Sequence, residues 1–148
     1  MFEFIKDCGI EKIDENDILE LEKKYMFKFP NDMKTFYLEH NPGRLNDCKA
    51  KVKGGIKLGS FFPIKNTCGR LLTINRLLEW QEIDKLTPMN LVPFASDYAD
   101  NTFYIDLSKD KYGKIYHLDH EFWPDFRNGE YPRAVADSFS DFVKKIYT

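Results

Sequence analysis

The sequence lacks the features of membrane, secreted and nucleic-acid-binding proteins. No apolar run approaches the roughly 20 residues that a membrane-spanning helix needs. The N-terminal stretch MFEFIKDCGI carries acidic residues within its apolar run, so it has no signal-peptide core. The net charge is −2 and the isoelectric point is near 5.9, which argues against the basic face of a nucleic-acid-binding protein. We therefore expect a cytoplasmic protein that contacts neither membrane nor nucleic acid.

Cysteines are few and are not arranged in pairs. Cys8, Cys48 and Cys68 lie far apart, and no CxxC motif is present. This spacing predicts free thiols in a reducing compartment rather than a disulfide framework or a zinc knuckle.

The sequence also lacks the common catalytic motifs. It contains no GxSxG, no GxxxxGK[ST] and no HExxH. Asp97 and Asp100 could act together as an acid–base pair, but a turn rich in aspartate is the commoner explanation, because aspartate accepts local backbone hydrogen bonds. We expect no enzymatic activity, no cofactor and no metal site. A deep pocket lined by Asp97, Asp100 and a histidine would favour an enzyme instead.

What the chain does have is the content of one domain rich in aromatic residues. Its 148 residues include 13 Phe and 8 Tyr, and 16% of the chain is aromatic. Such residues favour strands and large buried contacts. No internal repeat or linker divides the chain, so we expect a single domain over residues 1–148.

Helix signals lie at both ends of the chain and near its middle. Asp14 precedes an apolar stripe with Asp17 three residues later, which predicts a capped helix, and a second helix follows from Pro30 or Asn31. Thr73 and Ser138 predict the caps of two further helices, the last of them closing the chain. The first residues predict a short additional helix ended by Gly9.

Strand signals lie between these helices. KAKVKGGIKLGSFFPI, residues 49–64, predicts one or two strands with a turn. In TFYIDL, residues 102–107, Phe103, Ile105 and Leu107 alternate with the residues between them, a period of two that predicts a strand. SKDKYG then predicts a turn that leads to a second strand at KIYHLDH, residues 114–120. The order predicts an α+β domain: a mostly antiparallel β-sheet with N-terminal helices and a C-terminal helix packed against it.

The stretch GKIYHLDHE, residues 113–121, holds two of the three histidines. In a strand over residues 114–120, His117, Asp119 and Glu121 would point to one face and His120 to the other. Two histidines on opposite faces do not bind one metal ion, so we interpret the stretch as structural.

Four segments follow one another along the chain, namely IDENDILELEKKYMFKFPNDMKTFYLEHNPG, LVPFASDYADNTFYIDLS, GKIYHLDHE and VADSFSDFVKKI. In their content and order they resemble the SUKH superfamily of the fungal Smi/Knr cell-wall-regulator type. The resemblance runs from about residue 13 to 148. NPGR replaces the more usual Asn-Gly-Gly, and DYADN stands where glycines are common.

The resemblance implies an α+β fold without a known catalytic centre. Bacterial members are similar to immunity proteins that neutralise polymorphic toxins by direct binding, whereas fungal members are regulatory interaction proteins. It therefore implies an immunity protein with a cognate toxin as its partner. The alternative that stays open is a regulatory or scaffold module with no toxin.

Charge and aromatic residues indicate where a partner would bind. Acidic residues predominate between residues 94 and 127, and an acidic patch would attract a basic, nuclease-type toxin. Aromatic residues beside charge are typical anchors of protein interfaces. The lysines of residues 49–57 could contact phosphate, but lysines so placed more often protect an edge strand, and we interpret them in that way. We expect a monomer or a weak dimer. The candidate partner-binding residues are Asp97, Tyr98, Asp100, Asp119, Glu121, Trp123 and Asp125.

Overall fold

The computed structural model confirms the α+β class. It describes residues 3–5, 10–46, 50–66 and 71–147. The N-terminal helix expected before Gly9 falls largely outside these residues, and so do the three cysteines. Within the described residues the helices are α1 (Glu15–Tyr25), α2 (Asn31–His40), α3 (Ile74–Asp84) and α4 (Phe139–Lys144), and the strands are β1 (Lys51–Val52), β2 (Ile56–Phe61), β3 (Leu91–Asp97), β4 (Thr102–Asp106), β5 (Ile115–Leu118) and β6 (Arg133–Ala136).

The helices begin where their capping residues predict. Asp14 and Asp17 form a reciprocal capping box at α1, and each side chain accepts a hydrogen bond from the other residue's amide at 3.0 Å. Thr73 caps α3 by accepting from the Arg76 amide, and Ser138 caps α4 by accepting from the Asp141 amide. These contacts satisfy amides that have no partner within the helix.

The end of α1 carries a conformational cost that leads to a prediction. Met26 follows the helix with φ 58° and is 91% exposed, so its side chain gains little from packing. Left-handed backbone is unfavourable for residues with a Cβ but not for glycine. We expect Met26→Gly to raise the free energy of unfolding by about 1 kcal/mol. Urea denaturation would measure it, and Lys23→Gly, inside α1, should instead lower stability by about 1 kcal/mol.

The six strands form one antiparallel sheet in the order β1-β2-β3-β4-β5-β6. β4 and β5 make the hairpin that the alternating pattern predicts, with Phe103 opposite His117. The last strand, β6, was not predicted, because its sequence RAVA has small residues and no clear alternation. It is defined by pairing with β5, which the sequence alone does not show.

Both faces of the sheet are covered. On the inner face lies the main core, to which all four helices contribute, with Phe94, Phe103 and Phe142 among its fully buried side chains. The outer face holds a smaller cluster that includes Leu91, Tyr104, Tyr116 and Leu118. Phe126 and Tyr131 pack on this second cluster, so the chain segment between β5 and β6 covers the outer face.

The lysine-bearing edge of the sheet is covered within the chain itself. Lys51 exchanges two backbone hydrogen bonds with Tyr147, at 2.7 and 2.9 Å. Tyr147 therefore occupies part of the edge that an approaching strand would use. Separately, none of the helices in the described part of the chain has the length and apolar character needed to cross a bilayer.

Candidate functional site

Four of the seven candidate residues lie on the segment between β5 and β6, which we call the outer loop (residues 119–132). Four carboxylates lie on it, Asp119, Glu121, Asp125 and Glu130, against Arg127 as its one lysine or arginine. The loop also exposes Phe122 to 76% and Trp123 to 37%. The sequence prediction of acidic residues next to aromatic ones thus corresponds to one continuous segment of surface.

The outer loop is fixed to the sheet by a hydrogen-bonded network around Asp106, whose side chain is fully buried. Tyr131 donates its hydroxyl to Oδ2 of Asp106 at 2.6 Å, and Asn90 and the Ser108 amide donate to Oδ1 at 3.0 and 2.8 Å. Burial alone would raise the pKa of Asp106, but these donors outweigh it and hold that pKa below its usual value. Burial and the hydrogen bond to Asp106 raise the pKa of Tyr131. The network gives the loop a rigid base.

Asp97 lies at the end of β3 and is buried rather than displayed. Its Oδ1 accepts from the amides of Ala99 and Asn101, both at 2.9 Å, and its Oδ2 lies 2.8 Å from Nε2 of His117. It therefore shapes the turn after β3 and positions His117. These local backbone bonds are the ones expected for an aspartate-rich turn.

A β-bulge brings Asp97 to His117. Pro93 pairs with Tyr104 and Ala95 pairs with Phe103. Between these two pairs β3 therefore contains one residue more than β4, which is the bulge. Proline lacks the amide donor of a regular ladder and is tolerated at such bulges. The extra residue turns Asp97 onto the inner face, where His117 lies opposite Phe103 with ring centroids 4.8 Å apart.

Tyr98 and Asp100 lie on the turn after β3 and are both exposed. The Tyr98 ring, 54% exposed, is contacted by the ammonium of Lys57 at 5.1 Å from its centroid. Asp100 has φ 62° and its amide donates to the Asp97 carbonyl. This turn adjoins the outer loop, because the His120 amide donates to the Asn101 side chain at 3.1 Å.

The strand predicted over residues 114–120 ends earlier, at Leu118, and this changes the expected faces. Asp119 instead begins a turn in which its Oδ1 accepts from the Glu121 amide at 2.9 Å. Glu121 is exposed in that turn. The expectation that His117, Asp119 and Glu121 share one face of a strand is therefore wrong, because only His117 lies in β5. Asp119 still lies near His117, since both line the same concavity.

Trp123 and Asp125 complete the candidate set on the far side of the outer loop. The indole Nε1 of Trp123 donates to the Leu86 carbonyl at 3.3 Å, and its ring lies against that of His120 at 5.1 Å. Asp125 is exposed and accepts from the Asn128 side chain at 2.8 Å. The loop is thus fixed to the turn after α3 as well as to the sheet.

Two concavities flank the segment Phe122–Pro124. The first, about 650 Å³, is lined by residues that include His117, Asp119, Phe122, Glu130 and Arg133. The second, about 620 Å³, lies between Trp123 and the turn after α3 and is mainly apolar. The segment therefore projects as a ridge between two hollows, a shape suited to a protein partner.

The two histidines of the stretch GKIYHLDHE, His117 and His120, lie on opposite faces of the sheet. His117 contacts Asp97 on the inner side, whereas Nε2 of His120 lies 3.2 Å from the hydroxyl of Thr102, whose partner in the sheet is Leu118. Across the described residues, His, Cys, Asp and Glu form no cluster of three or more with the arrangement of a metal site.

Phe122, His117 and Leu86 contribute to this surface but were not among the candidates. Phe122 could have been selected from the same aromatic–acidic pattern that selected Trp123. The His117–Asp97 contact depends on the bulge, and Leu86 reaches the outer loop only through tertiary packing, so no local signal indicated either.

A family model described as the SMI1 / KNR4 family (SUKH-1) matches residues 12–145, nearly the whole chain. Comparison with curated proteins gave no match. At the level of the family, the match supports a protein-interaction or immunity-type domain, in a family that is generally non-catalytic.

Proposed function

Because the chain belongs to the SMI1 / KNR4 family (SUKH-1), we propose that it is a cytoplasmic immunity protein that neutralises a cognate toxin by direct binding. The observation that supports this most is the outer loop itself. It exposes Phe122 and Trp123 between carboxylates, on a backbone fixed by the Asp106 network. Rigid aromatic anchors need little ordering when a partner binds.

The charge of the loop supports a basic partner. Four carboxylates against one arginine produce a negative potential over the ridge. Toxins that cleave nucleic acid are typically basic, since their substrate is a polyanion. A nuclease-type toxin would therefore associate rapidly with this surface, and the rate would fall as salt screens the charges.

Co-expression tests the proposal. The protein encoded immediately upstream would be expressed in a host with and without this chain, and growth and co-purification would be scored. Rescue together with a complex of nanomolar affinity, about −12 kcal/mol, supports immunity. No toxicity and no complex would contradict that pairing and favour the regulatory module instead.

A charge reversal on the loop should separate binding from folding. Glu121 is exposed and its carboxylate has no hydrogen-bond or ion-pair partner within the described residues. We expect Glu121→Lys to slow association with a basic toxin about tenfold at low salt while leaving stability unchanged. Surface plasmon resonance at two ionic strengths measures this.

The matched control for that measurement is Asp110→Lys, an exposed position in the turn between β4 and β5. It changes the net charge by the same amount but lies outside the outer loop. Equal slowing by both variants would mean that overall charge, rather than the loop, governs association.

A further inference from the structure

The first concavity lies where the curled sheet brings its two ends together. Ile56, at the start of β2, lines one side, and Arg133 of β6 and the outer loop line the other. Arg133 lies across the turn before β2, with Nη2 at 3.0 Å from the position a Cβ would take on Gly54. The concavity is therefore bounded by parts of the chain about 80 residues apart in sequence, which the fold holds in place.

His117 presents a hydrogen-bond acceptor to this concavity. Asp97 accepts two amide hydrogens at Oδ1 and engages Nε2 of His117 with Oδ2, so in the neutral ring Nε2 carries the proton and Nδ1 has a free lone pair. Nδ1 has no hydrogen-bond partner within the described residues. No buried side-chain nitrogen or oxygen there is left unpaired, so Nδ1 is accessible to solvent. His117 is one of the residues that line the concavity, and we infer that Nδ1 faces it.

Two carboxylates add acceptors to the same wall. Asp119 uses Oδ1 for the Glu121 amide, and Glu130 uses Oε1 for the Asp125 amide, both at 2.9 Å. The second oxygen of each has no partner among the residues that the structure describes. One oxygen therefore fixes each carboxylate while the other remains available to a ligand.

The remaining walls suit a flat cation with an alkyl stem. Phe122 is 76% exposed, and Pro124 and Pro132 add apolar surface. An aromatic face attracts a guanidinium, which also stacks on it. Arg133 is the single cation against the two carboxylates, so the lining keeps one net negative charge before a ligand binds.

We propose that the first concavity receives an arginine side chain of the partner protein, bound through Nδ1 of His117 and the free oxygens of Asp119 and Glu130, with Phe122 against the guanidinium. Arginine presents five donors in a plane, whereas lysine presents three around one nitrogen. The planar arrangement of arginine fits three acceptors and an aromatic ring better. The identity of the partner as a toxin rests on the proposed function, but the arginine-binding chemistry does not.

The isolated protein tests the site with a small probe. N-acetyl-arginine amide would be titrated while the ring of His117 and the amides of residues 119–122 are followed by NMR. We expect saturable shifts in the millimolar range, at least fivefold weaker binding of N-acetyl-lysine amide, and none with N-acetyl-citrulline amide, the neutral isostere. Equal shifts with the citrulline compound, or no shift of His117, would overturn the proposal.

Asp119→Asn is the informative variant, because an asparagine oxygen still accepts the Glu121 amide and preserves the turn. It should weaken the arginine probe about tenfold, whereas Asp110→Asn should not change it. Probe binding without toxin neutralisation would support the site and refute the toxin partner. Neutralisation unaffected by Asp119→Asn, with no probe binding, would refute the site and leave the immunity function standing.

Discussion

Replacing Asn41 by glycine is expected to lower the free energy of unfolding by about 3 kcal/mol, although glycine suits the backbone there. Asn41 ends α2 with φ 36° and is completely buried. Its amide nitrogen donates to the carbonyls of Glu11 and Lys65 at 2.7 and 2.8 Å, and its oxygen accepts from the Ile64 amide at 2.9 Å. One side chain thereby connects three separate segments of the chain.

The loss should come from the backbone groups that remain behind. Glycine leaves two carbonyls and one amide without partners in a buried position, and each such group costs about 1–3 kcal/mol unless water reaches it. Relief of the left-handed strain recovers about 1 kcal/mol of this. Asn41→Gly should therefore destabilise the protein strongly, although it removes mainly hydrogen bonds rather than apolar contacts.

Met26→Gly is the matched control, because Met26 occupies the same left-handed position after α1 but is exposed. Denaturant unfolding of the two variants should give changes of opposite sign. If both glycines stabilise the protein, the hydrogen bonds of Asn41 contribute less than its backbone strain, and the argument for Asn41 fails. Toxin or arginine-probe binding should be unchanged in folded Asn41→Gly, since Asn41 lies outside the outer loop.

The helices could be predicted from sequence because their signals are local. Asp14, Thr73 and Ser138 each satisfy an amide three residues away, and that spacing is visible in the sequence. The hairpin of β4 and β5 was equally visible, since its alternation and its turn are adjacent. By contrast, β6 depends on its neighbour: Val135 and Ala136 are buried only because β5 and α4 lie beside them.

The sequence indicated which acidic and aromatic residues form the candidate surface, but it did not indicate which of them are buried. Counting charges and aromatic residues located the segment from Asp119 to Asp125, because loops between strands are exposed. The same count included Asp97, whose burial depends on a bulge at Pro93 that changes which face the following residues occupy. Register shifts of one residue exchange the two faces of a strand, and single-sequence patterns do not specify them.

Asp106→Asn is the second substitution for which we expect a large effect. It should lower the free energy of unfolding by about 2–4 kcal/mol at neutral pH. All the groups around the carboxylate are donors, namely Tyr131, Asn90 and the Ser108 amide. An asparagine places its own amide hydrogens against one of them, so at least one donor loses its acceptor. Asp110→Asn, exposed in the following turn, should change stability by less than about 0.5 kcal/mol.

Asp106→Asn should also make the free energy of unfolding less dependent on pH in the acidic range. Hydrogen bonding holds the pKa of folded Asp106 below that of the unfolded chain, which is about 3.9. The stabilisation is therefore complete above that value and is lost as the pH falls through the lower, folded pKa. Wild type should lose stability over this acidic range more steeply than Asp106→Asn, as urea unfolding between neutral and acidic pH would show. Coincident slopes would mean that Asp106 is not held ionised by the network.

The loss of this anchor should reach the binding surface before it unfolds the protein. Tyr131 joins the outer loop to Asp106, so the variant frees the loop at its C-terminal side while the Trp123–Leu86 bond remains. Hydrogen exchange should accelerate at residues 125–131 more than in β3 or β4. A mobile loop must be ordered again on binding, so partner affinity should fall even where the variant is fully folded. Unchanged affinity with faster exchange would show that the partner does not depend on this end of the loop.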